Sequence, residues 1–246
     1  MKSCIFCTCF INGRHPTNNP ERYKRWIDFY TSKMEALGAE YLFLIDDGSP
    51  EASLIGKDIA ILDQENLPII LDNKINLVRF KNNLGRPAQR DYRGWWRSFS
   101  YSYILANTYG FEKIIHIESD FFLVSQKIVK YIKEISGGWT AFYSPFFLFP
   151  ESGIQIIVKD AYNELYKVYE DIRNKNYEMN KSAEFYLPFT NIEKKYFGDR
   201  FGELDVFAKH VNLHEEVTKV DWIGQVLPHF KTDDFEPFFE FEYKWE

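Results

Sequence analysis

The sequence predicts a single-domain α/β fold, a mainly parallel mixed sheet with helices on both faces. Three observations carry that expectation. Short apolar runs alternate with longer segments whose apolar residues recur at helical spacing, which is the order that builds a parallel sheet. Two of those runs stop abruptly in acidic side chains, as buried parallel strands do when they deliver polar groups to the sheet's carboxyl edge. At 246 residues the chain lies at the upper end of what one hydrophobic core supports.

Residues 3–11 read as a buried first strand and Asn12 to Pro20 as a loop. A helix is expected from about Glu21 to Leu37, with Trp26, Ile27, Tyr30, Met34 and Leu37 on one face and Gly38 as its cap. The run from Glu40 then ends in Asp46-Asp47-Gly48-Ser49-Pro50. A looser stretch follows, with a short helix near 51–57, then a strand over Ile75–Phe80 and the segment Lys81-Asn-Asn-Leu-Gly-Arg86. A long helix is expected from about Tyr92 to Tyr109 with Gly110 at its end, and a further buried strand over Lys113–Val124. Beyond Gly137-Gly138 the pattern loosens. Strands are expected around Thr140–Tyr143 and Ile154–Val158, a helix near Asp160–Arg173, and a short helix near Val206–His210. The chain thus reads as one domain over 1–246, with a ligand-binding half over 1–125 and an elaborated half over 126–246.

Hydrophobic residues make up 45% and charged residues 27%, so the chain should fold. The net charge of −6 and the lack of a long basic run argue against a nucleic-acid partner. Aromatic residues reach 18%, enough both to fill a core and to stack on sugars or bases. Cys4, Cys7 and Cys9 crowd one strand, Cys4 facing one side and the other two facing the opposite side. They read as buried thiols, suited to a reducing compartment, and not as a zinc site or disulfide framework. The first apolar run makes a poor signal peptide, and no later one approaches the roughly 20 residues that cross a bilayer. A cytoplasmic protein is expected, with peripheral contact at the cytoplasmic membrane face left open.

Glu118-Ser119-Asp120 stands between the apolar runs Ile114–Ile117 and Phe121–Val124. Carboxylates desolvated there need a cation or a hydrogen-bond network, and a hard divalent ion could bridge them to diphosphate oxygens. In Asp46-Asp47-Gly48-Ser49 a carboxylate could accept hydrogen bonds from a ribose or a base. In Asn82-Asn83-Leu84-Gly85-Arg86, glycine permits close backbone approach and arginine can pair with phosphate, with Arg90, Arg93 and Arg97 behind it. Each also has a plainer reading: an exposed strand end, an Asp-Gly turn and a solvated helix face.

Taken together, these motifs resemble those of a GT-A-like (Rossmann-like) glycosyltransferase of the family 2 group, closely over roughly residues 3–125 and loosely beyond. The resemblance implies transfer of a sugar from a nucleotide-sugar donor to a hydroxyl of a glycan or lipid-linked acceptor, with inversion. It assigns Asp46 and Asp47 to the nucleoside and Asn83, Gly85 and Arg86 to the donor, with Arg90, from the arginines behind them, as a further candidate. It implies a divalent cation, Mn²⁺ or Mg²⁺, on Glu118 and Asp120, with Glu replacing the family's first Asp, and a late histidine, here His229. It points to Asp205 or Glu203 as the base, Asp205 being preferred. Trp222 and the ring-rich tail from Phe235 to Glu246 fit packing or acceptor stacking. A sugar nucleotidyltransferase is a rival, although Asn12-Gly-Arg-His-Pro16 lacks a glycine-rich phosphate cradle. So is a non-catalytic nucleotide- or glycan-binding module of the same fold.

Overall fold

The computed structural model describes residues 1–12, 19–50, 55–56, 58–88, 90–179, 181–201 and 220–226. The first strand, β1 (Ser3–Cys9), is buried at every position. Ile5, Cys7 and Cys9 pack on one face of the sheet and Cys4 and Phe6 on the other, all three cysteines being free thiols. Helix α1 (Pro20–Leu37) starts where Asn19 accepts a hydrogen bond from the Glu21 amide and Pro20 opens the first turn. It ends at Gly38, whose φ of 71° is the left-handed conformation that closes the last turn onto Glu35 and Met34. Its buried face carries Trp26, Phe29, Tyr30 and Leu37, each such side chain stabilising the fold by about 1.5–3 kcal/mol.

The following elements are β2 (Tyr41–Asp46), β3 (Ala60–Asp63), β4 (Ile75–Arg79), α2 (Arg93–Tyr109) and β5 (Lys113–Ile117). Then come β6 (Phe122–Leu123), α3 (Gln126–Glu134), β7 (Trp139–Ser144), β8 (Phe149–Val158), α4 (Tyr162–Asn174) and α5 (Ala183–Tyr186). The short strands β9 (Asn191–Glu193), β10 (Gly198–Asp199) and β11 (Trp222–Ile223) complete the described elements. An eight-stranded sheet runs β3-β4-β2-β1-β5-β8-β7-β9, and β10-β11-β6 form a small second sheet. In the large sheet only β8 runs against the rest, pairing antiparallel with β5 and β7. Helices α1 and α3 cover one face, α2 and α4 the other. The architecture is the mainly parallel α/β sheet expected, with strands from both halves of the chain in it.

Several elements differ from expectation, among them β3, α5 and the short strands β9, β10 and β11, which the sequence pattern does not predict. The run Lys113–Val124 is not one strand: Phe121 N–H closes a turn onto the Glu118 carbonyl at 2.9 Å, so β5 stays in the large sheet and β6 joins the small one. Strand β8 begins at Phe149, five residues before the expected start, and its reversed direction brings Glu151–Gly153 to the carboxyl edge of β5. Helix α3, capped by the Ser125 hydroxyl, was not anticipated. The helices expected near 51–57 and 206–210, and the aromatic tail, lie wholly or largely outside the described residues.

Candidate active site

Strand order reverses beside β1: α1 carries the chain from β1 to β2, and α2 carries it back to β5 on the other side. In an open α/β sheet this switch point leaves a crevice at the carboxyl edge. Here the crevice is a cleft of about 950 Å³, and its floor includes Thr8 to Phe10, Asp47, Glu118 and Asp120. The reversed β8 adds Glu151, Ser152 and Gly153, and the two tryptophans at the start of α2 add a wall of rings.

Glu118 sits across the switch point from Thr8. The Thr8 hydroxyl donates to its carboxylate at 2.8 Å, the Trp95 indole N–H to Oε1 at 2.6 Å, and His116 Nε2 reaches Oε1 at 2.9 Å. Burial acts to raise the Glu118 pKa, but these contacts, His116's foremost, outweigh it and hold the carboxyl below its ordinary value. Asp120 meets the Arg22 guanidinium at 3.2 Å, while Arg22 Nε donates to the buried Ser119 hydroxyl at 2.6 Å. Burial raises the Asp120 pKa against the pull of Arg22. The Asp120 backbone is held in turn by the Val226 amide at 2.9 Å.

The two adjacent aspartates part company. Asp46 is fully buried and turns inward, accepting from the Ser49 amide at 2.9 Å and from the Ser49 hydroxyl, with Arg79 at 3.9 Å. Burial lifts its pKa to about 6. Asp47 lines the cleft. Its Oδ2 accepts from Asn83 Nδ2 at 2.8 Å and from the Leu84 and Gly85 amides at 3.1 and 2.8 Å, and Arg97 pairs with Oδ1. Burial raises its pKa, with Arg97 the main opposing influence. The Asp46–Ser49 turn and the 82–86 segment are therefore one unit. Gly48, at φ 75°, permits this, because a Cβ there would lie 2.6 Å from the Asn82 carbonyl carbon.

Of the arginines singled out, Arg86 lines the cleft and stacks its guanidinium 4.2 Å from the centre of the Tyr92 ring. Arg90 is exposed and is not among the residues lining the cleft. Arg93 pairs with Asp91 and Glu178 instead, and Arg97 is committed to Asp47 and the Asn82 carbonyl. Glu203, Asp205 and His229 lie outside the described residues. Trp222 is fully buried under Gly198 and stacks on Phe121, so it packs and does not line the cleft.

Sequence reasoning missed the opposite wall. Arg200 donates to both oxygens of Glu151, at 2.7 and 3.0 Å, and to Glu184 at 2.7 Å; all three line the cleft. Burial raises the Glu151 pKa, whereas for Glu184 burial is outweighed by a backbone hydrogen bond and the Arg200 charge, which bring it down. Glu184, clamped by Arg200 and of lowered pKa, is a weak proton acceptor.

Glu118 and Asp120 are already engaged by neighbouring side chains among the described residues. Among the described residues no three His, Cys, Asp or Glu side chains converge as ligands. Oε1 of Glu118 already accepts from two N–H groups, one of them an indole that can only donate, and Asp120 already holds a guanidinium.

No protein-family profile matches the sequence, and neither does any curated protein. Among solved structures, a glycosyltransferase involved in glycosylating the major capsid of PBCV-1 aligns at 11% identity. That alignment has a TM-score of 0.50 over 97% of this chain and 99% of that one. A protein of Aquifex aeolicus VF5 aligns at 9% identity and a TM-score of 0.43 over 72% of this chain and 79% of that one. At such identities the likeness is one of fold: the chain shares, nearly end to end, the architecture of a glycosyltransferase.

Proposed function

We propose that the protein transfers a sugar from a nucleoside diphosphate donor to an acceptor hydroxyl. The observation that carries this reading is the cleft at the switch point, where Asp47, Asn83, Gly85 and Arg86 meet Glu118 and Asp120 in a fold shared with a glycosyltransferase. Arg86 would hold the nucleotide, and Trp95 and Tyr92 offer ring faces to the base or sugar. The Glu151–Arg200–Glu184 wall would face the acceptor, a glycan or lipid-linked saccharide.

In the transfer the acceptor oxygen bonds to the anomeric carbon as the bond from that carbon to the diphosphate oxygen breaks, its electron pair leaving with the diphosphate. The acceptor proton passes to a carboxylate. We assign the role of base to Asp205 or Glu203, the carboxylates that the family resemblance implies, and direct displacement then inverts the anomeric centre.

The test is thermal denaturation with UDP-, GDP- and dTDP-sugars, each with Mn²⁺ and with chelator, followed by assay of released nucleoside diphosphate. A true donor at a hundredfold its Kd adds about 2.7 kcal/mol, a Tm rise of roughly 5 °C or more. One donor should give that shift and be consumed. If none shifts Tm or is turned over, the reading fails.

A further inference from the structure

We propose that Arg22, and not a divalent cation held by Glu118 and Asp120, supplies the positive charge that binds the donor's diphosphate. The inference rests on the glycosyltransferase reading above and concerns how that site neutralises its leaving group.

Arg22 rises from the first turn of α1 and lines the cleft, its side chain 16% accessible. Its guanidinium is held by Nε–H donation to Ser119 at 2.6 Å and by Asp120 at 3.2 Å. The two contacts come from consecutive residues, so the same turn that would present a cation's ligands instead orients an arginine. A guanidinium is permanently charged and planar and can meet phosphate oxygens as a fork. Ser119 and Asp120 fix its orientation before any ligand arrives, which lowers the entropy lost on binding.

A divalent ion bound between the same residues would have to displace that guanidinium from Asp120 or sit beside a like charge. Arg25, behind Arg22, already registers the crowding: burial and the Arg22 charge bring its pKa down to about 10. Oε1 of Glu118 is already engaged twice over. Trp95 and His116 both contact Oε1, and the Thr8 hydroxyl donates to the carboxylate. Glu118 is better placed to keep Trp95 and Thr8 in position around the diphosphate than to hold a metal. Among the described residues the titratable groups around Arg22 include Arg25, Glu118, Asp120, Tyr23 and Cys7, with Arg200 across the cleft.

The experiment is calorimetric titration of UDP, GDP and dTDP into the full chain, in EDTA and in Mn²⁺. One nucleoside diphosphate should bind in EDTA, within about threefold of its affinity in Mn²⁺, and Arg22→Gln should weaken it at least tenfold. Asp120→Asn removes a negative charge beside the guanidinium and should tighten binding in EDTA, so it decides the matter even if Arg22→Gln fails to fold. Binding that needs Mn²⁺ and is lost in Asp120→Asn would overturn the inference while leaving the glycosyltransferase reading intact. So would binding in EDTA that Arg22→Gln leaves unchanged. Failure of all three nucleotides to bind in either buffer overturns both.

Discussion

The indole N–H of Trp139 donates to Oε1 of Gln155 at 2.8 Å, and this buried contact sets the hydrogen-bond polarity beneath Glu118. An indole nitrogen can only donate, so Oε1 must face Trp139 and the Gln155 amide nitrogen must face the other way. That nitrogen donates to the Ser152 carbonyl at 2.6 Å and lies 3.3 Å from His116 Nδ1. His116 Nδ1 therefore accepts and Nε2 carries the hydrogen that reaches Glu118. The chain of donors runs one way, from Trp139 to the cleft.

The first prediction follows. Nitrogen-15 NMR of the imidazoles should show His116 in the Nε2–H tautomer. Gln155→Leu leaves the Trp139 N–H unpaired in the core, which costs about 1–3 kcal/mol in urea denaturation. An Nδ1–H signal for His116, or a Gln155→Leu variant as stable as the parent, would show that the chain does not run this way.

Much of this architecture is legible in the sequence, and the reason differs from element to element. Strands β1, β2 and β5 are buried on both faces, so they read as continuous apolar runs, and the acids that end β2 and follow β5 mark the ligand edge. Strand β3 lies at the sheet's edge with alternating half-exposed residues and gives no such run. Helix α3 spans nine residues, too few for periodicity to stand out, although Ser125 before Ile128, Val129 and Ile132 carried its signal. In the site, Asp47, Asn83, Gly85, Glu118 and Asp120 announce themselves by motif. Their partners do not: Thr8 is 110 residues from Glu118 and Arg22 is 97 from Ser119, and only the sheet order brings them together. Nor does an Asp-Asp pair disclose which carboxylate turns inward; Ser49 decides that here by capturing Asp46.

Gly94 reverses the usual helix rule. Replacing glycine by alanine within a helix ordinarily stabilises by about 1 kcal/mol. A Cβ at Gly94 would lie 2.1 Å from Asp47 Oδ2, the oxygen that gathers the 83–85 segment. Gly94→Ala should therefore destabilise by about 1–3 kcal/mol and abolish the Tm shift given by the donor. A variant that is more stable and still binds would mean that Asp47 has room to move.

Asp46 gives a pH signature. Its folded pKa, raised to about 6 from 3.8 by burial, means that the native state holds a proton the unfolded chain has released. The stability this contributes is complete below about pH 4 and is lost as pH rises through about 6, an effect of about 3 kcal/mol. Asp46→Asn lacks that titration. Between pH 4 and 7.5 the variant should gain stability relative to the parent by roughly that amount. Parallel pH profiles in urea denaturation would show that the Asp46 carboxyl is not perturbed.

Arg200 supports the acceptor wall by charge as well as by shape. Glu151 is fully buried, and its two oxygens accept from Arg200 and from the Gly153 amide at 2.8 Å. Removing the guanidinium strands that carboxylate, so Arg200→Met should cost about 3–5 kcal/mol. Glu151→Gln keeps an oxygen for the Gly153 amide but no longer needs a cation. The double variant should then be more stable than Arg200→Met alone, a coupling that a double-mutant cycle in urea measures directly. Simple addition of the two losses would mean that Arg200 acts through its packing on Phe149, whose ring centre lies 4.9 Å from the guanidinium, and not through its charge. In the coupled case the wall also responds to pH. Without Arg200, Glu151 protonates more readily, and Arg200→Met should recover part of its lost stability as pH falls toward 5 while the double variant does not.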